Sequence, residues 1–382
     1  DFLSETDTNV LIETFADRIN ACDFLTDAEK TSYIEANAAV VKGPVFDAYN
    51  SLIDCLTSLK GTGKNNGGLC GLPKGKKYYE YLVHHYTGSS KSVDDIAANI
   101  DTSIENAMTE VYDVYNNNPD AYDYYYAQDL NYGSDDPQTI LDTLKVSMLE
   151  YYPTPPETSY TIKYVHKSLE DSLSPAFYMV PPIDDAVENV IYINQGEKNG
   201  ASDIYTTLAH EGYPGHLYQT TYYNATEHNP VRDVLSFGGY TEGWATYVEL
   251  NSYDLVDFPE YNEELSTLAK AMDTMNLAIS CRIDIGVNYE GWAVDDVSSY
   301  LDSSGFNGSF AQDIYDYVVE DPAVYLKYYG GYLEFNELRT RAEDELGDNF
   351  DLKEFNKALL DAGPCQFDIV GAYVDEYIEK NK

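Results

Sequence analysis

Apolar residues recur at three- and four-residue spacing through the first 59 positions, as at Val10, Leu11, Phe15 and Ile19. That spacing gathers them on one helical face. Asp7-Thr8 and Thr26-Asp27 precede such runs as capping pairs. After a glycine-rich loop from Gly61 to Gly75, helical periodicity returns over 78–150. Ser92 ahead of Val93-Asp94-Asp95 predicts a helix start, and Asn117-Asn118-Pro119 predicts a break. Tyr-Tyr-Pro-Thr-Pro-Pro from Tyr151 reads as an extended connector. The texture then changes. Tyr160–Val165, Ala176–Val180 and Val190–Ile193 are short β-rich runs, which predict a small sheet near 160–195. Gly196 and Gly200 close a turn, a helix opens near Ser202-Asp203, and the pattern stays mainly helical to the C-terminus. The expected class is mainly α with a small β-sheet, in an N-terminal helical part, 1–155, and a second part, 156–382, forming one compact unit.

Composition shows that these elements fold. Of 382 residues, 43% are hydrophobic and 14% aromatic, enough for a large core despite Lys+Arg 23 against Asp+Glu 66 and a net charge of −43. The charge therefore belongs to the surface, where it repels nucleic acid and anionic membranes. No apolar run reaches the roughly 20 residues of a membrane helix, so no membrane insertion is expected. The start at Asp1, without Met, sets the expectation of a processed or trimmed chain. Cys22, Cys55, Cys70, Cys281 and Cys365 form no CxxC pair and are too scattered for a disulfide framework, though one bridge such as Cys55–Cys70 has room to form. The acidic, tyrosine-rich composition points to an extracellular or cell-surface protein. Lys60, Lys64, Lys74, Lys76 and Lys77 make a local cationic patch. Gly61-Thr62-Gly63-Lys64 within it is not a phosphate loop, since Asn65 follows the lysine and no strand precedes it.

The chemistry concentrates further on. The chain has six histidines, and two of them, His210 and His216, flank Glu211 in a predicted helix. Zinc hydrolases use two neutral imidazoles as ligands and a neighbouring carboxylate as general base, usually with the imidazoles one helical turn apart. Here the spacing is six, which on a straight helix leaves the rings about 120° apart. Pro214 and Gly215 lie between them, and a break there can restore convergence. Glu242, in Thr241-Glu242-Gly243-Trp244-Ala245, opens a further helical run to Leu250 and is the candidate third ligand, with Glu249 and Glu227 as other carboxylates in range. Two histidines and a glutamate leave a fourth position for water. The bland alternatives are histidines at a helix break acting as caps, and Glu242 as a helix-start carboxylate. His84, His85, His166 and His228 lack ligand spacing and read as structural.

His-Glu-Gly-Tyr-Pro-Gly-His-Leu-Tyr-Gln (210–219) followed by Thr-Glu-Gly-Trp-Ala (241–245) resembles the bacterial "domain of unknown function 885" family, which looks like zinc metallopeptidases of the gluzincin type. Ser174–Tyr178, Asn189–Asn194, Cys281–Trp292 and Tyr328–Gly331 through Leu338-Arg339 carry the likeness further. The resemblance implies a zincin-like architecture, with helical halves around a cleft. It implies one Zn2+ on His210, His216 and Glu242 in the second part, Glu211 as base, and a peptide as substrate. Tyr328 is the expected oxyanion donor. Arg282, Arg339 and Asn288 are candidate substrate-binding residues, with Asp284 a possible partner of Arg282. Many members carry histidine where this chain has Asn288 and Asn356. That departure supports a second reading, a catalytically impaired, metal-containing peptide-binding or cell-surface interaction protein. With basic residues so scarce, the cleft is expected to be less acidic than the remaining surface.

Overall fold

The computed structural model describes residues 2–4, 9–65, 67–127, 130–184, 186–196 and 201–382, the side chains of 201–203 excepted. Contacts divide the chain into two units. One comprises Asp1–Asn66, Tyr164–Pro175 and Ile193–Asn199. The other comprises Gly67–Lys163, Ala176–Tyr192 and Gly200–Lys382.

The first unit contains α1 (Val10–Asn20), α2 (Asp27–Val40) and α3 (Phe46–Leu59). Asp7-Thr8, expected to cap α1, lies outside the described residues. The cap is Asn9, whose Oδ1 accepts from the Leu11 N–H at 3.0 Å while its Nδ2 donates to the Phe2 carbonyl at 3.1 Å. Thr26 caps α2 as its sequence predicts, in a reciprocal box with Glu29. Phe2 packs on Phe46 and Tyr49.

The second unit begins with α4 (Gly75–Thr87), α5 (Val93–Asn117), α6 (Pro119–Ala127) and α7 (Pro137–Ser147). A three-stranded sheet follows: β1 (Tyr160–Tyr164), β2 (Ala176–Met179) and β3 (Asn189–Ile193), in the order β1-β3-β2. Next come α8 (Ala201–Glu211), α9 (His216–Asn224), α10 (Gly238–Asn251), α11 (Asn262–Ile285), α12 (Val294–Ser303) and α13 (Ala311–Glu320). The last are α14 (Tyr329–Leu346), α15 (Leu352–Ala362) and α16 (Phe367–Asn381). The mainly helical class and the small sheet agree with the sequence pattern. The two units do not meet at 155/156: α5, before that point, packs along α11, after it, within the second unit. Ile96, Ile100, Ile104 and Ala107 of α5 are buried, as are Leu268, Ala271, Met275 and Ala278 of α11. All five cysteines are free, so Cys55 and Cys70 form no bridge. Among the described residues no helix is long and apolar enough to cross a membrane.

One buried carboxyl organises the centre of this unit. Asp284 of α11 is fully buried. It accepts from the Tyr79 hydroxyl of α4 at 2.6 Å, from the Ala323 N–H at 2.8 Å and from Asn288 Nδ2 at 3.2 Å. Ala323 has φ of 67°, a left-handed conformation that a side chain disfavours, and the hydrogen bond its N–H donates to Asp284 helps hold it. The turn it makes leads to Lys327 and Tyr328. Burial pushes the Asp284 carboxyl up to about 7, although its three donors pull the other way. A carboxyl raised in the fold stabilises it most at low pH, where it is protonated. That contribution is lost as pH rises from about 4 through about 7. Asp284→Asn keeps an acceptor but cannot titrate. Its unfolding free energy is therefore expected to vary less between pH 5 and 8 than that of the native chain, by on the order of a few kcal/mol. Denaturant unfolding across that range checks this, and equal slopes would refute it.

Candidate metal centre

The His-Glu segment is not one bulged helix. α8 ends at Glu211, residues 212–215 turn, and α9 begins at His216. Gly215 makes the turn possible. A Cβ there would lie 1.7 Å from the His210 carbonyl oxygen, so only glycine can rest on that backbone. The Pro214 carbonyl accepts from the indole Nε1 of Trp244 at 3.0 Å, and Trp244 is fully buried. The two imidazoles then meet, with ring centroids 4.8 Å apart and planes at 83°.

α10 delivers the carboxylates. It starts at Gly238, one turn before the expected start at Glu242, because Gly239 packs on the Thr87 carbonyl, where a Cβ would lie 2.0 Å away. Glu242 therefore sits inside the helix rather than at its first turn. Its Oε2 lies 3.2 Å from His216 Nε2 and 3.6 Å from His210 Nε2. Its Oε1 lies 3.5 Å from Lys327 Nζ. Glu249, two turns on, takes the other nitrogen of His210, with Oε2 at 2.8 Å from Nδ1. Glu211 completes the cluster. His210, Glu211 and His216 each bring a donor atom within 4.8 Å of the others, and Glu211 Oε2 accepts from the Tyr178 N–H of β2 at 2.8 Å. Next to Glu242, Gly243 packs on α14 with an ideal Cβ 2.5 Å from the Gly331 carbonyl carbon, which sets Tyr328 beside the centre. The Tyr328 ring is 6.3 Å from that of His210.

The electrostatics follow. Burial opposes a charge on His210, but Glu242 and Glu249 hold its pKa up to about 10. Burial opposes a charge on Glu242 too, yet His210 and His216 keep it well below the usual carboxylate range. A positive charge is thus strongly favoured between these groups. The donor set can also hold a small divalent cation. Ligands of tetrahedral zinc, at about 2.0–2.1 Å from the ion, lie roughly 3.3–3.4 Å from one another. The 3.2 and 3.6 Å separations bracket that edge. Glu249 holds the His210 nitrogen that faces away from Glu242, as the partner of a ligating imidazole would.

The other residues expected at the site lie elsewhere. Arg282 pairs with Asp101 and Glu290, both at 3.0 Å, and stacks on Trp292. It does not pair with Asp284. Asn288 is fully buried; its Nδ2 donates to the Val318 carbonyl at 2.8 Å and its Oδ1 accepts from the Leu69 N–H at 3.0 Å. Arg339 bonds Glu343 at 2.8 Å and lines a small separate cavity with Tyr151 and Tyr247. Asn356 is buried between Tyr247 and the Tyr151 carbonyl. None of these contacts is to His210, His216 or Glu242. Lys327 was not among the expected site residues; its signals in the sequence are that it adjoins Tyr328 and that lysine is scarce in this chain. Glu249, expected only as another ligand, stands seven residues after Glu242, two helical turns on along the same face.

The bacterial family of unknown function DUF885 matches residues 2–374, and the chain belongs to it. Two solved structures, each described as that of a "putative lipoprotein", are similar in fold. The one from Colwellia psychrerythraea has a TM-score of 0.84 at 22% identity, over 99% of this chain and 68% of that one. The one from Shewanella oneidensis, of unknown function, has a TM-score of 0.63 at 14% identity, over 97% and 71%. No curated protein matches the sequence.

The Gly215 contact has a direct consequence. Gly215→Ala is expected to lower stability by about 3 kcal/mol or more, since backbone stands in the way. Gly43→Ala, where a Cβ meets nothing within 4 Å, should be close to neutral. Equal denaturation midpoints for the two variants would refute the account of the turn.

Proposed function

We propose that the chain is a zinc-dependent hydrolase acting on peptides, with His210, His216 and Glu242 as ligands. The observation that carries this reading is the single Glu242 oxygen 3.2 and 3.6 Å from the two imidazoles, with Glu211 beside them and Glu249 behind. When bound, zinc supplies Lewis acidity that acidifies a water and polarises a carbonyl. Glu211 takes the proton of the attacking water and delivers it to the leaving amine. The Tyr178 N–H holds its carboxylate in place for both transfers. Burial and the Glu242 charge raise the Tyr328 phenol, so it keeps its proton at neutral pH and donates to the developing oxyanion. Lys327, against Glu242 and over the Tyr328 ring, adds positive charge there.

The choice of peptides as substrates, and of a zincin-like architecture with helical halves around a cleft, rests on the family's likeness to gluzincin-type peptidases. An extracellular or cell-surface location belongs to the same proposal, supported by the net charge of −43 and by the lipoprotein descriptions of the two fold relatives. The alternative, a metal-containing binding protein without turnover, drew on Asn288 and Asn356. Both amides are spent on buried scaffold hydrogen bonds, so we favour the hydrolase.

Zinc analysis of the purified protein is expected to give about one ion per chain. Glu211→Gln should retain the metal and lose activity by about 10²–10⁴-fold, measured on a peptide library with and without chelator. A protein that takes up no zinc would refute the proposal. Glu249→Gln should weaken zinc affinity about 10–100-fold while leaving the stoichiometry at one. Glu242→Gln should be far more damaging, and competition titration with a zinc indicator separates the two. Equal losses would overturn the division into ligand and outer-sphere partner.

A further inference from the structure

A second cavity, of about 210 Å³, opens on the other side of α10. Tyr247 and Asn251 line it, five and nine residues after Glu242 and so on the helix side opposite the candidate ligand. The volume is room for about seven waters, or for one small organic molecule.

The wall supplies donors and a positive charge. Arg339 lines the cavity, and its side chain is 27% exposed, so a ligand can reach it. Its Nε donates to Glu343 Oε1 at 2.8 Å, and the guanidinium lies against the Tyr247 hydroxyl. A guanidinium carries five N–H donors in a planar fork, so these two neighbours do not satisfy it. Tyr152, on the same wall, is 3% exposed, with its ring edge-on to Trp244 at 6.0 Å. Its hydroxyl makes no hydrogen bond among the described residues, yet it is not sealed from solvent as the Tyr213 and Tyr223 hydroxyls are. Burial raises the phenol, which keeps it a donor at neutral pH.

The other polar groups are spent. Asn251 Nδ2 donates to the Tyr247 carbonyl at 2.7 Å, and its Oδ1 accepts from Lys270 Nζ at 2.8 Å. Asp254, the acid on the wall, is 57% exposed and pairs with the same Lys270 at 3.4 Å. Leu255 and Leu352 make the remainder apolar. A guanidinium fork matches the two oxygens of a carboxylate. The leucines match a short aliphatic tail, and Asp254 disfavours a dianion such as phosphate.

We propose that this cavity binds a small monocarboxylate, held by Arg339 and Tyr152. Zinc plays no part in it, so the site goes beyond the hydrolase reading and stands or falls apart from it.

The test titrates butyrate, butyramide and N-acetylalanine into the full chain by ligand-observed NMR, with and without chelator. Butyrate should bind saturably at one site, at least about tenfold more tightly than butyramide, which lacks the charge. Tyr152→Phe removes only a hydroxyl that bonds nothing in the fold, and should weaken butyrate about tenfold. Arg339→Gln should abolish binding. Asp254→Asn removes a like charge from the wall and should tighten butyrate about threefold. Tighter binding of N-acetylalanine than of butyrate supports the site with a peptide C-terminus as its ligand, and the reverse order supports it with a free acid. Equal binding of butyrate and butyramide overturns the proposal. So does native affinity for butyrate in both Tyr152→Phe and Asp254→Asn, which holds as a test even where Arg339→Gln fails to fold. Binding that disappears with chelator also overturns it, because the acid would then sit on a metal.

Discussion

The hydrogen bond from the buried Trp244 indole to the Pro214 carbonyl fixes the one place where the chain must leave helical geometry for the two imidazoles to meet. A helix running straight through 201–224 would aim them apart. The turn at 212–215 re-aims the second helix, and its exposed carbonyl needs a donor once it is buried. Three consecutive residues of α10 point in three directions, about 100° apart. Glu242 reaches the imidazoles, Gly243 lets α14 approach backbone to backbone, and Trp244 clamps the turn. One short stretch of one helix therefore sets the carboxylate, the neighbouring helix and the shape of the histidine segment together. A shift of α10 would disturb all three at once.

A second set of bonds works from the opposite side. Asp284 joins α4, α11 and the Ala323 turn, and that turn sends the chain towards Lys327 and Tyr328. Gly331, pressed on Gly239 and Gly243, then fixes where α14 starts. Tyr328 is placed by backbone packing at both ends of its segment.

The legible part of the site was the part made of scarce residues at constrained spacing. Two of six histidines around a glutamate, with Pro-Gly between them, admit few bland explanations, and Glu242 followed from the need for a third donor. The helical class was legible for a similar reason, since apolar periodicity is local. What was not legible depends on partners far away in sequence. Arg282, Arg339 and Asn288 lie in blocks that resemble the family's, but a block does not say whether a polar side chain faces a substrate or a core. Their partners, Asp101, Glu343 and the Val318 carbonyl, decide that. Gly238-Gly239 reads as loop by propensity, yet it is helix, because the space beside Thr87 admits no side chain. The unit boundary failed to follow the Pro-rich connector for the same reason: α5 finds its partner in α11, well beyond it.

Net charge and local charge also separate. The value of −43 draws divalent cations of every kind towards the molecule, but beyond a Debye length of about 8 Å at physiological salt that attraction is screened. Selection among cations must come from the donors themselves. Lys327 sits against Glu242 Oε1, which leaves Oε2 to face the imidazoles. Calcium wants six to eight oxygens, often from bidentate carboxylates, and magnesium wants an octahedron of oxygens. A pair of nitrogens with one carboxylate oxygen offers neither. Under the hydrolase reading, then, the lysine beside the ligand does more than temper an acidic cleft. With the second carboxylate oxygen so engaged, Glu242 would offer a metal one oxygen, a set that under that reading suits a borderline ion such as zinc better than a hard cation.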